Sequence, residues 1–223
     1  MTTAATVGAG NDRAPRGYAK GRARRAEIVH KAAEQFAEKG FGAATILDIA
    51  AACQISRAGL LHHFPDKEAL LEAVLEERDT EDRLRFEPYT RIPGGIGILR
   101  RMVDLADHNR FVPGLIELFT RLSSEAATPD HPAHEYFVHR YDRIRKGTAR
   151  TLRAAQRAGF LRAGVEPEDA AVRLTALSDG LQSQWLLDDR LDMAHHVRTA
   201  ILDLLNESGR NAFTATGDGG PPA

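Results

Sequence analysis

Thr45, Ser56, Arg57, Ala58, Gly59, His62, His63 and Lys67 fall in one short stretch, TILDIAAACQISRAGLLHHFPDKEALL. Their shared chemistry is recognition of anions and base edges. A guanidinium forks onto two acceptors, hydroxyls and imidazoles donate single hydrogen bonds, and an ammonium acts as a point charge. The small pair Ala58-Gly59 lets backbone approach whatever is read. Covalent chemistry finds no comparable arrangement. Ser123-Ser124-Glu125 has no His at a suggestive spacing and no Gly-x-Ser-x-Gly turn. Gly94-Gly95-x-Gly97 lacks a preceding strand, and no phosphate loop occurs. Nine histidines invite a metal, but His62-His63 are adjacent, and His131, His134 and His139 follow no His-x3-His pattern. Cys53 is the single cysteine. No metal, cofactor or enzymatic activity is therefore expected.

The elements that must position these residues are short helices. Thr45 is a good N-cap, and Asp48 stands where the reciprocal carboxylate of a capping box belongs. Ile46, Ile49 and Ala50 then recur at helical spacing. Cys53-Gln54-Ile55 reads as a turn. Ser56 caps a second short helix, Arg57–His63, with Leu60 and Phe64 on its apolar side. Pro65 stops it and Asp66 caps the next. Two short helices joined so tightly predict a helix-turn-helix over about 45–64, with Arg57 the foremost base or phosphate partner. Thr45 and Lys67, at helix N-termini, are expected to hold phosphates.

Composition frames this reading. Apolar residues make up 43%, aromatics only 6%, and alternating β-branched runs are missing, so the fold class expected is all-α. Net charge is −1, yet residues 1–65 hold nine Lys/Arg against five acids, a basic front with an acidic rear. A lone cysteine suits a reducing cytoplasm. No run of 18 apolar residues is present and residues 1–20 lack an apolar leader core, so no membrane partner is expected.

The segment from Arg22 to about Asp82 resembles the DNA-binding domain of the tetracycline-repressor (TetR) family of bacterial regulators. The matching residues are Ile28-x3-Ala32-x3-Phe36, Gly40-Phe41, Thr45, Asp48-Ile49-Ala50, Ile55-Ser56 and Leu60-x2-His63-Phe64-x2-Lys67-Glu68-x-Leu70-Leu71. Two positions depart from the pattern. Gln54 stands where the family usually has Gly; at a positive φ this costs roughly 1 kcal/mol. Leu61 stands where it usually has Tyr, so a phosphate contact by that hydroxyl does not carry over, and His62 or His63 is the substitute.

Residues 1–20 read as a disordered basic arm, 22–82 as the DNA-binding domain, 88–208 as a ligand-binding and dimerisation domain, and 209–223 as a disordered tail. About nine helices are expected, with the last two at Pro167–Asp188 and Asp192–Ser208. The resemblance implies a homodimer through these last two, with Leu177, Gly180, Gln184, Val197, Ile201 and Leu204 at the seam. Periodicity alone fits a monomer core equally well. It also implies a cavity for a small-molecule effector among the middle helices. Met102, Phe119, Tyr141 and Trp185, with Phe111 and Phe137, are its candidate walls, and His108, Gln182 and Asn109 its polar groups. The expected function is a ligand-released repressor of double-stranded, (pseudo)palindromic operator DNA. The alternatives are an activator, or a helical protein–protein module that has lost DNA affinity.

Overall fold

A computed structural model describes residues 16–85 and 87–216, with side chains from residue 21. Its α-helices are α1 (Arg16–Lys39), α2 (Ile46–Ala52), α3 (Arg57–His63), α4 (Lys67–Arg85), α5 (Ile96–Asn109), α6 (Pro113–Glu125), α7 (His134–Arg157), α8 (Pro167–Trp185), α9 (Met193–Leu204) and α10 (Glu207–Ala215). A 3-10 turn, Glu87–Arg91, joins α4 to the rest. The fold is all-α: no named strand occurs among the described residues. None of these helices is long and apolar enough to cross a membrane.

Local signals set most boundaries. Gly40, at φ 80°, ends α1 in the left-handed conformation that only glycine adopts without strain. Pro113 and Pro167 open α6 and α8, where their missing N–H would be unsatisfied in any case. Ile28, Ala32 and Phe36 form one buried stripe of α1 against Ile49 of α2, Leu60 of α3 and Leu70 of α4. This core continues into Leu118, Phe119 and Leu122 of α6 and Phe137 of α7, so the small head does not have to bury its apolar surface alone. A second core joins Leu99 and Val103 of α5, Leu152 of α7, Leu174 and Leu181 of α8, and Val197 and Ile201 of α9.

Three expectations are corrected. Residues 16–20, expected in the disordered arm, belong to α1; residues 1–15 lie outside the described set. The last expected helix is two, because the chain extends at Leu205, where Leu161 and Leu205 form an isolated antiparallel bridge. Asn206 N–H then bonds the Phe160 carbonyl at 2.9 Å and the Asn206 side chain caps α10 through Gly209 N–H. The expected tail is thus helical as far as Ala215, and residues 217–223 lie outside the described set. Phe213 anchors α10 with its ring fully buried. Gly209 sits against the Phe160 carbonyl so closely that a Cβ would collide with backbone.

Candidate nucleic-acid interface

The head is assembled by caps. Thr45 Oγ1 accepts from Asp48 N–H at 3.1 Å, and Thr45 N–H donates to Asp48 Oδ2 at 3.0 Å, closing the capping box. Between α2 and α3, Gln54 N–H bonds the Ala51 carbonyl and Ile55 N–H the Ala50 carbonyl, both at 3.0 Å. This pair is a Schellman motif, and it forces Gln54 to φ 55°. The turn needs the left-handed conformation even though the residue is not glycine. Ser56 Oγ then accepts from Gly59 N–H at 3.0 Å, which starts α3. Its own O–H hydrogen is left to donate elsewhere.

These contacts give α3 two faces. Leu60 and Phe64 are buried against α1 and α4. Ser56, Arg57, Ala58 and His62 are exposed, while Gly59 and His63 are half-buried beside them. The imidazoles of His62 and His63 lie 5.6 Å apart at 70°. Arg57 makes no ion pair with any described residue. Leu61 is half-buried. The outward surface of α3 is therefore hydrogen-bonding and cationic, with small residues at its N-terminal turn, the composition suited to a groove of DNA.

Two of the expected phosphate ligands are used internally. The Lys67 ammonium donates to the carbonyls of Phe41 at 2.9 Å, Ala44 at 3.2 Å and Gly42 at 3.4 Å, and lies 4.4 Å over the Phe41 ring. An ammonium has three donors, and here they clamp the α1–α2 loop. Thr45 likewise directs both its N–H and its O–H at Asp48. Hydrogen bonds from Thr45 and from Lys39 hold the Asp48 carboxyl below its ordinary range. These bonds give Thr45 and Lys67 a structural role in the head, beside the phosphate role expected of them. Part of the basic first helix is also structural. Arg24 donates to the Cys53 carbonyl at 2.7 Å, at the C-terminus of α2, and Arg25 stacks 4.4 Å over Phe64. Neither use was visible in the sequence, since both partners are distant along the chain.

Behind the head lies a cavity of ≈ 1570 Å³, walled by α4, α5, α7, α8 and α9. Of the expected lining residues, Met102, Asn109 and Gln182 face it. Phe119 and Tyr141 line a separate small recess of ≈ 70 Å³, shared with Gln182. His108 and Trp185 line neither. Trp185 is buried in the second core, so it acts as a packing residue, and His108 is half-buried at the end of α5. The lining residues missed from sequence are polar groups on α4, α7 and α8. Asp79 of α4 accepts from Arg143 at 2.8 Å, Tyr136 Oη at 3.1 Å and Arg140 Nε at 3.2 Å, all from α7. Arg78, almost wholly buried, has its pKa depressed to about 10, chiefly by burial, with Asp82 opposing. It lies over Phe119 at 4.0 Å and 3.8 Å from Asp82. The α4 helix thus carries head residues at one end and cavity residues along its middle.

The expected seam divides. Val197 and Ile201 are buried within their own chain, so they belong to the monomer core and are corrected. Leu177 and Leu204 are half-buried against that same core. Gly180 and Gln184 lie on the outer side of α8, with Gln184 exposed. Val172 and Ala176 share that side and are exposed, and Leu187, in the turn after α8, is 90% exposed.

Comparison with known proteins agrees with this geometry. Residues 28–74 match the profile of bacterial regulatory proteins of the tetR family, and residues 104–206 match that of the BetI-type transcriptional repressor C-terminal domain. The HTH-type transcriptional repressor Rv1474c of Mycobacterium tuberculosis is 29% identical over 191 residues, covering 85% of this chain and 95% of the relative. The HTH-type transcriptional regulator TtgR of Pseudomonas putida is 28% identical over 207 residues, covering 82% and 92%. In structure, a transcriptional regulator from Saccharomonospora viridis in complex with choline superposes with a TM-score of 0.71 at 24% identity, covering 83% of this chain and all of that one. Head, body and relatives agree: this chain belongs to the tetR family of bacterial regulatory proteins and is a DNA-binding helix-turn-helix transcriptional regulator, not an enzyme.

Proposed function

We propose that the protein is a cytoplasmic homodimeric repressor that leaves a (pseudo)palindromic operator when a small molecule fills the cavity. The observation that carries this reading is the double membership of α4. Leu70, Leu71 and Val74 pack in the head core, while Asp79 faces the cavity and is held by three α7 side chains. A ligand that alters how α4 sits on α7 moves the head with it. In a dimer this changes the separation of two α3 helices, which must match successive major grooves about 34–36 Å apart. The outer side of α8, with Val172, Ala176 and Gly180, and exposed Leu187 in the turn that follows, supports a two-fold seam, because an exposed apolar strip with a glycine admits a second helix closely. On α3, Ser56, Arg57, Ala58, Gly59, His62 and His63 form the reading face.

Thermodynamic reciprocity tests the coupling. An effector that lowers operator affinity 5–150-fold corresponds to about 1–3 kcal/mol, and saturating operator must weaken effector binding by the same factor. An effector bound equally well with and without operator contradicts the mechanism.

A further inference from the structure

The walls of the large cavity differ in chemistry, and the difference defines a ligand class. One side is apolar, with Met102 and Leu105 of α5 and Met193 of α9. On α8, Thr175, Ser178, Asp179 and Gln182 recur at helical spacing and all face the cavity. The two hydroxyls already donate their hydrogens to their own helix, Thr175 to the Ala171 carbonyl and Ser178 to the Leu174 carbonyl, each at 2.9 Å. Only lone pairs of these two hydroxyls remain to meet a ligand, so beside the Asp179 carboxylate they act as acceptors, while the Gln182 carboxamide can both donate and accept.

Asp179 differs from the other half-buried charges of the lining. Asp79 is matched by Arg140 and Arg143, and Asp82 by Arg78. Arg101, on the α4 side, lies in the field of Asp82 and Asp79. No ion pair to Asp179 forms among the described residues; the nearby Tyr141 hydroxyl favours its charged form. Arg140, the cation whose charge reaches it, is bonded to Asp79. Burial pushes the Asp179 carboxyl above its ordinary range, with Tyr141 and Arg140 opposing. A half-buried carboxylate without a counter-charge carries part of the cost of burial, and a cation in the cavity offsets it.

We propose that the cavity is selective for amphipathic organic cations, a protonated amine on an apolar body, with Asp179 selecting the charge and the α8 hydroxyls accepting its N–H donors. This rests on the reading of the cavity as the effector site. Binding to the protein alone, without DNA, therefore tests it separately from operator release.

The experiment is calorimetric titration of the full-length protein at pH 7 with three probes of equal chain length: octylamine, octanol and octanoate. Octylamine is expected to bind roughly tenfold or more tighter than octanol, the ratio that one charge-assisted hydrogen bond supplies. Octanoate is expected to bind weakest. In Asp179→Asn the amine and the alcohol should bind alike, and Asp179→Glu should keep the preference for the amine. The wild-type series decides the matter even if Asp179→Asn fails to fold. Equal binding of the three probes, tightest binding of octanoate, or no binding of octylamine overturns the proposal. Octanoate binding that is lost in Arg101→Gln would place an anion site on the α4 side instead. A protein that passes this test but keeps its operator in octylamine leaves the ligand class intact and refutes the release mechanism.

Discussion

Replacing Asp79 by Ala removes the carboxylate that ties α4 to α7, and the structure sets how much this should cost. Three hydrogen bonds go, but they are not equivalent. Arg143 is 60% exposed and returns to water, so its share is about 0.5 kcal/mol or less. Arg140 is 16% exposed and lies over the Phe119 ring, so its guanidinium stays in place and loses its counter-charge. Tyr136 Oη keeps the Leu75 carbonyl as an acceptor at 3.2 Å. Breaking a fully buried ion pair costs about 3–5 kcal/mol, and partial access of water to Asp79 lowers this to about 2–3 kcal/mol. Urea unfolding at fixed protein concentration measures it, since any dimer links stability to concentration. The double variant Asp79→Ala/Arg140→Ala should show a coupling of about 1–3 kcal/mol, and Arg143→Ala alone almost none. Asp79→Ala should also reduce whatever effect a bound effector has on operator affinity. If Asp79→Ala costs no more than Arg143→Ala, the buried tie between α4 and α7 is not what holds the body to the head.

Other expectations separate roles that the sequence leaves merged. Gln54→Gly should stabilise the head by about 0.5–1 kcal/mol, because glycine takes φ 55° without strain; a loss of stability by thermal melting would refute the strained turn. Lys67→Ala should destabilise by roughly 1–2 kcal/mol through the freed loop carbonyls, yet leave the salt slope of DNA binding unchanged. A slope flattened by about 0.9 in logarithmic units would restore a phosphate contact to Lys67. Gly180→Arg should yield folded monomers by light scattering, since a Cβ there meets no atom within 4 Å in its own chain. Ile201→Glu should unfold the body instead, because an unpaired carboxylate would be buried in its core. A folded, monomeric Ile201→Glu would move the seam to α9.

The head was legible because its signals are local. Thr45 with Asp48, Ser56, Gly40 and Pro65 each act within a few residues, so the caps and stops can be read from neighbours. The opposite holds for Lys67 and Arg24, whose carbonyl partners are 23 or more positions away; a basic residue at a helix end looks the same whether it meets phosphate or backbone. The seam failed in part for a related reason. Val197 and Ile201 repeat at helical spacing whether the stripe faces its own core or a second copy, and only burial separates these cases. On α8 only Gln182 of the polar stripe was expected; Thr175, Ser178 and Asp179 were passed over in favour of aromatics such as Trp185, which packs in the second core. Helix α10 was missed because Gly, Arg and Asn dilute its pattern. The available clues were Asn206 as an N-cap and a Phe at 213, too large and apolar for a solvated tail.

The claim at the centre is that α3 reads DNA through Arg57. Fluorescence anisotropy of a labelled duplex from upstream of the protein's own gene, titrated with wild-type protein and with Arg57→Ala over a salt series, tests it most directly. Wild-type protein should bind that duplex far more tightly than a scrambled one. If Arg57 is bidentate to a guanine, Arg57→Ala should lose about 1–3 kcal/mol and relax preference at one operator position. Unchanged affinity and preference in Arg57→Ala would contradict the account.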